Sequence, residues 1–264
     1  MDIENNSFAH PDFYLLTPEE AGKDIKIEQV KEMAKQAAFA PVLSEHKVCI
    51  IDDAGQMTAE AANSLLKLLE EPPPGWLFIL ITQQAERLLP TVLSRVVRLR
   101  FDAPDSSAVR QILKAKGITQ NTQVLAALAG GSPGRALSYN QADIFAIRRE
   151  ALDLLKKLPL QNPFGYIAAL GWGEKYDRAA ALLLTEQFIY LLRDVLLLQS
   201  CAGGQVYNTD IMAGLDGIAA DWPLHTARQG VNAAQEAWQN INKNVSAKNV
   251  LEALVLKLDL LRKE

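Results

Sequence analysis

The segment KVCIIDDAGQMTAEAANSLLKLLEEPP (47–73) carries the strongest structural signal in the amino-terminal part of this chain. It opens with a short apolar run, VCII (48–51), which Asp52 and Asp53 follow at once. A continuous apolar run of this length is typical of a central parallel strand that is covered on both faces. The stretch therefore predicts a buried strand whose carboxyl end carries two adjacent acids.

A helix is predicted after the acidic turn. Thr58 can cap it, because a threonine oxygen accepts a backbone N–H of the first helical turn. The helical segment is AEAANSLLKLLEE (59–71), and the three prolines at 72–74 stop it, since proline lacks the donor that a helix interior needs.

Further short apolar runs on either side predict a parallel α/β sheet. FYLL (13–16) is a short extended run, LFILIT (77–82) a second buried strand and VVRLRF (96–101) a third strand with alternating arginines. Helices are predicted at 27–39 and 85–93. This alternation of strands and helices is the pattern of a parallel sheet with crossover helices.

The chain after about residue 105 shows helical patterns without a strand signal, so the fold class is α/β plus all-α. The predicted helices are 106–116, 121–129, a helix after the glycine-rich GGSPGRAL (130–137), 144–158, 168–199 and 222–264. The segments around 203–204 and 214–217 are predicted to be loops.

Composition excludes several classes of protein. The 264 residues are 49% hydrophobic and carry a formal net charge of -4, which indicates a globular chain with enough material for a core. A mildly acidic chain is not expected to coat nucleic acid by itself. The sequence has no export signal and no apolar run long enough for a membrane span, so a cytoplasmic location without membrane contact is expected.

No metal or cofactor site is expected. Cys49 and Cys201 are far apart and neither belongs to a CxxC pair, and the histidines at 10, 46 and 225 lie in unrelated settings. No zinc-ligand spacing, nucleophile elbow or cysteine–histidine pair is present in the sequence.

The acids at 52 and 53 are the clearest candidate for chemistry. Nucleotide hydrolases place a Mg²⁺-directing aspartate at the carboxyl end of such a strand, although solvated acids at a strand end are equally common. The phosphate-binding loop GxxxxGK[ST] is absent: the pair Gly22-Lys23 has Thr17 where the first glycine is required. Autonomous ATP hydrolysis is therefore not expected.

Two arginines are the other candidates. The pair Ser94-Arg95 falls between a predicted short helix and a predicted strand, from where a guanidinium can reach an anion on a neighbouring molecule. Arg135 lies in GGSPGRAL (130–137), ahead of a helix. Each could equally be a surface residue or part of a structural ion pair.

Taken together, these segments resemble the clamp-loader branch of the AAA+ proteins. The block AANSLLKLLEEPP, followed by LLPTVLSR, is the most specific part of the resemblance. The similar stretches occur in the family's order over almost the whole chain and are HPDFYLL (10–16), KVCIIDDAGQMTAEAANSLLKLLEEPP (47–73), FILITQQAERLLPTVLSR (78–95), GGSPGRAL (130–137) and NVSAKNVLEALVLKL (244–258).

The resemblance implies a role for each candidate residue. Asp52 and Asp53 stand where ATP-hydrolysing relatives have Asp-Glu, and Thr82 stands at a position that relatives use to sense the γ-phosphate. Arg95, with Ser94, matches the Ser-Arg-Cys motif whose arginine reaches in trans into the ATP site of an adjacent subunit. Arg135 matches the second sensor arginine of the helical lid, and without bound nucleotide its role could be purely structural.

The resemblance also implies that part of the AAA+ domain is missing. Family members carry further residues ahead of the HPDFY stretch, with the first strands, the phosphate-loop region and often a cysteine-rich zinc module. A sheet without those parts is expected to expose apolar surface at an edge or a face.

The resulting prediction is a partial AAA+ α/β domain at 1–103, a helical lid at 104–143 and a helical oligomerisation collar at 144–264. The resemblance implies a non-hydrolysing arm of a clamp loader in DNA replication, a component of the DNA polymerase III holoenzyme. Its partners would be an ATPase subunit and a delta-type subunit, and the sliding clamp and primer-template DNA through the assembly. The alternatives are an independent nucleotide hydrolase, or a fragment or adaptor without a replication role.

Overall fold

The structure is a computed structural model that describes residues 10–19, 23–200 and 205–263. The chain forms two compact units, residues 1–101 and 102–264. The first holds the sheet and the second is helical. None of the described helices is long and apolar enough to cross a membrane.

The sheet of the first unit has three parallel strands in the order β1-β2-β3. The strands are β1 (Phe13–Leu16), β2 (Lys47–Ile51) and β3 (Trp76–Leu80). Helix α1 (Ile27–Ala37) connects β1 to β2, and α2 (Ala59–Glu70) connects β2 to β3. The predicted α/β class is therefore confirmed.

One face of this sheet is covered by α1 and α2. Cys49 and Ile51 of β2 are fully buried in one cluster with Val30 and Met33 of α1 and Leu65 of α2. The predicted cap of α2 is confirmed, because the side-chain oxygen of its N-cap threonine accepts a backbone N–H of the first turn. The cap and the buried stripe together fix α2 against the strands.

The opposite face of the sheet is open among the described residues. Leu77 and Ile79 of β3 remain 52% and 38% exposed, and beside them in register lie Val48 and Ile50, which are half-buried. The predictions that β2 is covered on both faces and that 77–82 is a buried strand are therefore wrong for this face. The other expectation, that the partial sheet exposes apolar surface, matches the structure. Parallel sheets normally bury both faces.

The predicted third strand at 96–101 is not formed. Val96 lies in a bend and 97–101 have no regular secondary structure, and Val97, Leu99 and Phe101 are 89%, 76% and 91% exposed. Alternating apolar and charged residues suit a strand, but a strand forms only where its backbone groups pair with a neighbouring strand, and none of the described strands pairs with 96–101. The helix predicted at 85–93 is also replaced, by a 3-10 turn (Ala85–Arg87) and a four-residue helix α3 (Pro90–Leu93).

The second unit is built from ten helices in its described residues. They are α4 (Ser106–Ala115), α5 (Thr122–Leu128), α6 (Pro133–Gln141), α7 (Ile144–Lys157), α8 (Pro163–Leu170), α9 (Trp172–Lys175), α10 (Arg178–Gln199), α11 (Met212–Asp221), α12 (Leu224–Asn242) and α13 (Ala247–Lys263). No strand lies among the described residues of this unit, which confirms the all-α prediction.

Three details of the helical prediction are wrong. The helix predicted at 168–199 is interrupted, because Gly171 adopts a left-handed backbone with φ +57° that ends α8, and Asp177 then caps α10. The helix predicted at 222–264 is broken at Asn244, which also has a positive φ. The loop predicted at 214–217 is part of α11. The loop predicted at 203–204 lies outside the described residues.

Two apolar clusters stabilise the second unit. The helices α4, α5 and α6, here called the lid helices, share a core with Val109, Leu113 and Leu125 fully or almost fully buried. A larger cluster joins α7 to α13 around Phe188 and Leu251, here called the collar helices. The apolar stripe of α13 faces this core, because Leu251, Leu254 and Leu258 are buried there.

Candidate functional site

The two acids occupy a tight turn at the carboxyl end of β2. The backbone N–H of Asp52 donates to the Leu16 carbonyl at 2.9 Å, and the N–H of Asp53 donates to the Asp52 carboxylate at 3.0 Å. Asp53 has a left-handed backbone with φ +52°, a conformation that aspartate tolerates better than most residues. The Asp52 side chain is exposed and that of Asp53 half-buried. The turn therefore presents carboxylates at the carboxyl ends of the strands.

Thr82 lies beside this turn. A Cβ built on Gly55 would come within 3.0 Å of the Thr82 hydroxyl oxygen, so the absence of a side chain at Gly55 permits the close approach. The same hydroxyl donates to the Gln84 carbonyl at 3.1 Å and accepts the Gln84 N–H at 3.2 Å. The structure thus brings Thr82 and the acidic turn together, as expected for the ends of neighbouring parallel strands.

This strand-end arrangement offers acids and a hydroxyl without a cradle for phosphate. The phosphate-loop motif is absent from the sequence. Within residues 10–19, 23–200 and 205–263, no group of three or more His, Cys, Asp or Glu residues could hold a metal ion. The arrangement offers two carboxylates and a hydroxyl, which can interact with water or a weakly held cation.

Arg95 lies just after α3 and is held by several contacts. Its Nε donates to the Glu70 carboxylate at 2.6 Å, and its Nη1 donates to the Thr91 carbonyl at 2.8 Å and to the Ser94 hydroxyl at 3.1 Å. The side chain is still 33% exposed. The guanidinium is therefore oriented by the chain and remains accessible from outside.

Arg95 and the acidic turn are at opposite ends of α2. The helix starts after Thr58, close behind the acids, and ends at Glu70, the partner of Arg95. Twelve residues of α-helix span about 18 Å. The structure does not bring Arg95 into the strand-end site of its own chain.

Arg135 is in the second unit, at the start of α6, and is engaged with other side chains. It forms an ion pair with Glu186 of α10, and its guanidinium donates to the hydroxyls of Tyr139 at 2.6 Å and Tyr190 at 2.9 Å. Burial raises the pKa of Tyr139 and raises that of Tyr190 to about 12, so both hydroxyls stay protonated at neutral pH. The sequence suggested a phosphate sensor or a structural ion pair, and the described contacts are those of an ion pair.

Sequence reasoning missed Asp12, which precedes β1. Its buried carboxylate accepts the backbone N–H groups of Val42, Leu43 and Ser44 at 2.7, 2.7 and 2.8 Å. Burial alone would raise the pKa of Asp12, but these three donors lower it below its usual value. The donors lie thirty or more positions after Asp12 in the sequence, so no local sequence pattern predicts the contact. Glu70 and Glu186 were missed for the same reason.

The chain is similar to known proteins in sequence and in structure. The family described as "DNA polymerase III, delta subunit" matches residues 3–105. The chain is 28% identical over 252 residues to "DNA polymerase III subunit delta'" of Bacillus subtilis (strain 168), a match that covers 94% of this chain and 76% of that protein. It is 32% identical over 228 residues to the subunit of the same name from Escherichia coli (strain K12), covering 85% of this chain and 65% of that protein.

A solved structure supports the fold. A DNA polymerase III, gamma subunit-related protein from Thermotoga maritima superposes with a TM-score of 0.52 at 20% identity, covering 94% of this chain and 83% of that one. The strand-end acids, Arg95 and Arg135 are thus set in a fold that has a solved counterpart.

Proposed function

Because the chain belongs to the family of DNA polymerase III delta-prime subunits, we propose that it is an arm of a clamp loader in DNA replication that does not hydrolyse ATP itself. The family relationship carries this proposal. In this proposal the chain is a component of the polymerase holoenzyme, and the polymerase chemistry belongs to other subunits. The matched relatives are longer than this chain, so the functions of their whole length come to it as proposals.

The strand-end site supports a role without hydrolysis. Asp52 and Asp53 have the position of a Mg²⁺-directing pair, but the sequence has no phosphate-binding loop. A nucleotide hydrolase needs both the acids and the cradle, because the cradle aligns the phosphates for attack. The alternative of an independent hydrolase has only the acids in its favour.

Arg95 is the residue through which this arm would act. In the proposal, its guanidinium reaches the ATP of a neighbouring ATPase subunit and neutralises charge that develops on the transferred phosphoryl group. Its partial exposure supports this role, as does its separation from the acids of its own chain by the length of α2. Hydrolysis would then depend on correct assembly of the subunits.

The other proposed partners follow from the same assembly. The arm would contact an ATPase subunit and a delta-type subunit in the cytoplasm, and would act on the sliding clamp and primer-template DNA through them. The remaining sensor-like residue, Thr82, would have no phosphate to sense in this chain. Its hydroxyl is used by the local turn at Gln84.

The Arg95→Ala variant tests the role in trans. Within the assembled loader, we expect clamp-stimulated ATP hydrolysis at the adjoining site to fall by about tenfold or more, because a trans arginine stabilises the transition state. Assembly should be unchanged, since an exposed ion pair contributes at most about 1 kcal/mol to stability. Steady-state hydrolysis is measured beside size-exclusion chromatography of the complex.

The matched control is Arg98→Ala, which removes an exposed arginine three positions further along the chain. That variant should hydrolyse ATP at the wild-type rate. A wild-type rate for Arg95→Ala in an intact complex would refute the role of Arg95, although the family membership would stand.

A further inference from the structure

Arg135 is the centre of a group of four side chains that joins α6 to α10, here called the Arg135 cluster: Arg135, Tyr139, Glu186 and Tyr190. Arg135 pairs with one carboxylate oxygen of Glu186, and the Tyr139 hydroxyl donates to the other at 2.5 Å. The Arg135 guanidinium also lies over the Tyr139 ring, 5.3 Å from its centroid. Both oxygens of the carboxylate and much of the guanidinium fork are therefore occupied.

The cluster is largely withdrawn from water. The Tyr139 residue is 1% exposed and the Glu186 side chain 14%, whereas the Arg135 side chain is 40% exposed. A carboxylate in such a setting needs a cationic partner, because an unpaired buried charge is strongly destabilising. Arg135, which lies on the lid helices, is the cationic partner of Glu186, which lies on the collar helices.

Apolar contacts between α10 and the lid helices lie next to the Arg135 cluster. Leu183 and Tyr190, which lie near Glu186 on α10, pack against the core of the lid helices. The Tyr190 ring meets the Tyr207 ring edge-on at 5.7 Å, and the Arg193 guanidinium lies 3.9 Å from the Tyr207 ring centroid. The Arg135 cluster is therefore the polar part of a larger contact between α10 and its neighbours.

We propose that the Glu186 carboxylate is a built-in anionic ligand of Arg135, and that this pairing locks the lid helices onto the collar helices. The Nη2 of Arg135 donates to one Glu186 oxygen, and it could donate in the same way to a phosphate oxygen, because both are anionic acceptors. With Glu186 in that place, the position of the lid helices is set by an acid of the same chain. This goes beyond the proposed arm function and does not depend on it.

The physical consequence concerns motion. If a bound nucleotide fixed the position of the lid helices, these helices would be ordered only in the bound state. Because Glu186 fixes them instead, they are ordered at all times. The lid helices and collar helices of the second unit should then open together and not separately. A rigid body of this kind suits an arm that transmits force without a chemical cycle of its own.

The Glu186→Gln variant tests the lock in the full-length chain. It keeps the size of the side chain and removes its charge, so hydrogen–deuterium exchange in α6 should become about tenfold faster, as expected when a charge-assisted hydrogen bond is lost. Exchange in α13 should not change. The control is Glu236→Gln, which removes an exposed ion pair with Lys257 between α12 and α13 and should leave α6 unaffected.

A double-mutant cycle separates the pairing from other effects. Arg135→Ala and Glu186→Ala should each speed exchange in α6, and the double variant should be no faster than the faster single variant. Additive effects would overturn the proposal, as would wild-type exchange in Glu186→Gln. If the Glu186 variants fail to fold, Tyr139→Phe gives the same test, since it removes the hydroxyl that bridges the pair.

A separate experiment tests whether the negative charge of Glu186 is what holds Arg135. In Glu186→Ala the guanidinium is left without its acid, so added inorganic pyrophosphate should restore the protection of α6. Pyrophosphate should have no effect on α6 in the wild type or in the double variant. A failure to restore protection in Glu186→Ala would show that packing by Glu186, and not its charge, holds the lid helices.

Discussion

At the scale of single residues, the two candidate arginines are each engaged by an acid that is distant in sequence. Glu70 orients Arg95 from 25 positions away, and Glu186 engages Arg135 from 51 positions away. Glu70 holds Arg95 in a fixed direction while leaving it one-third exposed, so the pair can open towards an anion on a neighbour at a small free-energy cost. Glu186 is far more enclosed, and its pair is expected to stay closed.

Asp12 gives a prediction about pH. Because its pKa is lowered in the folded chain, its stabilising effect is present above the ordinary value of 3.8 and is lost as pH falls through the lowered value. Asp12→Asn should be less stable than the wild type at neutral pH, and the difference should shrink as the pH falls below about 4. Urea unfolding across pH 3–7 measures it.

The contrast for this variant is Asp216→Asn, which changes an exposed acid of α11. It should follow the wild-type stability at every pH. A difference between Asp12→Asn and the wild type that stays constant down to pH 3 would contradict the account of the three backbone donors.

At the scale of secondary-structure elements, the open face of the sheet is the feature with the largest consequence. The alternation along β3 places Trp76 in the core and leaves Leu77 and Ile79 facing outward. The edge of β3 has no proline or charged residue, which are the usual protections against pairing with another chain. An apolar face and an unprotected edge together favour association.

A double variant, Leu77→Lys with Ile79→Lys, should reduce that association. Both side chains are partly exposed, so the folded unit should tolerate lysine, whereas binding of the dye ANS and static light scattering should fall. Leu260→Lys is the control, because Leu260 is 58% exposed on α13 and lies outside the sheet. Equal effects of the two changes would mean that the open face has no special role.

At the scale of the whole molecule, the two units divide the expected tasks. The first holds the strand-end acids and Arg95, and the second holds the lid helices and collar helices. The division falls at residues 101 and 102, and the prediction of three domains stays a prediction. A clamp-loader arm of this design would combine a site that serves a neighbour with a helical body that does not respond to nucleotide.

The chain as a whole should therefore not bind ATP tightly. In an equilibrium titration of the purified full-length chain with Mg-ATP, followed by calorimetry, we expect no saturable binding at micromolar concentrations, because the sequence lacks the phosphate loop. The loader's own ATPase subunit is the positive control. Saturable micromolar binding that Asp52→Asn weakens would favour the independent hydrolase.

The sequence predicted the local elements well because their signals are local. The apolar run of β2, the cap at Thr58 and the proline stop after α2 each involve residues within a few positions of one another, and all three appear in the structure. Where a second local signal competed, the prediction failed: Gly171 and Asp177 end and start helices inside a segment whose apolar pattern reads as continuous.

The sequence alone predicted the alternation of β1, β2 and β3 with α1 and α2 and the two acids at the end of β2, and it contains no phosphate-loop motif. The folded structure was needed to show that 96–101 is not a strand, that one face of the sheet is open, and which acids hold Arg95 and Arg135. The physical reason is the range of the interactions. Helix periodicity and capping depend on near neighbours, whereas strand pairing, burial and ion pairing depend on groups that only the folded chain brings together.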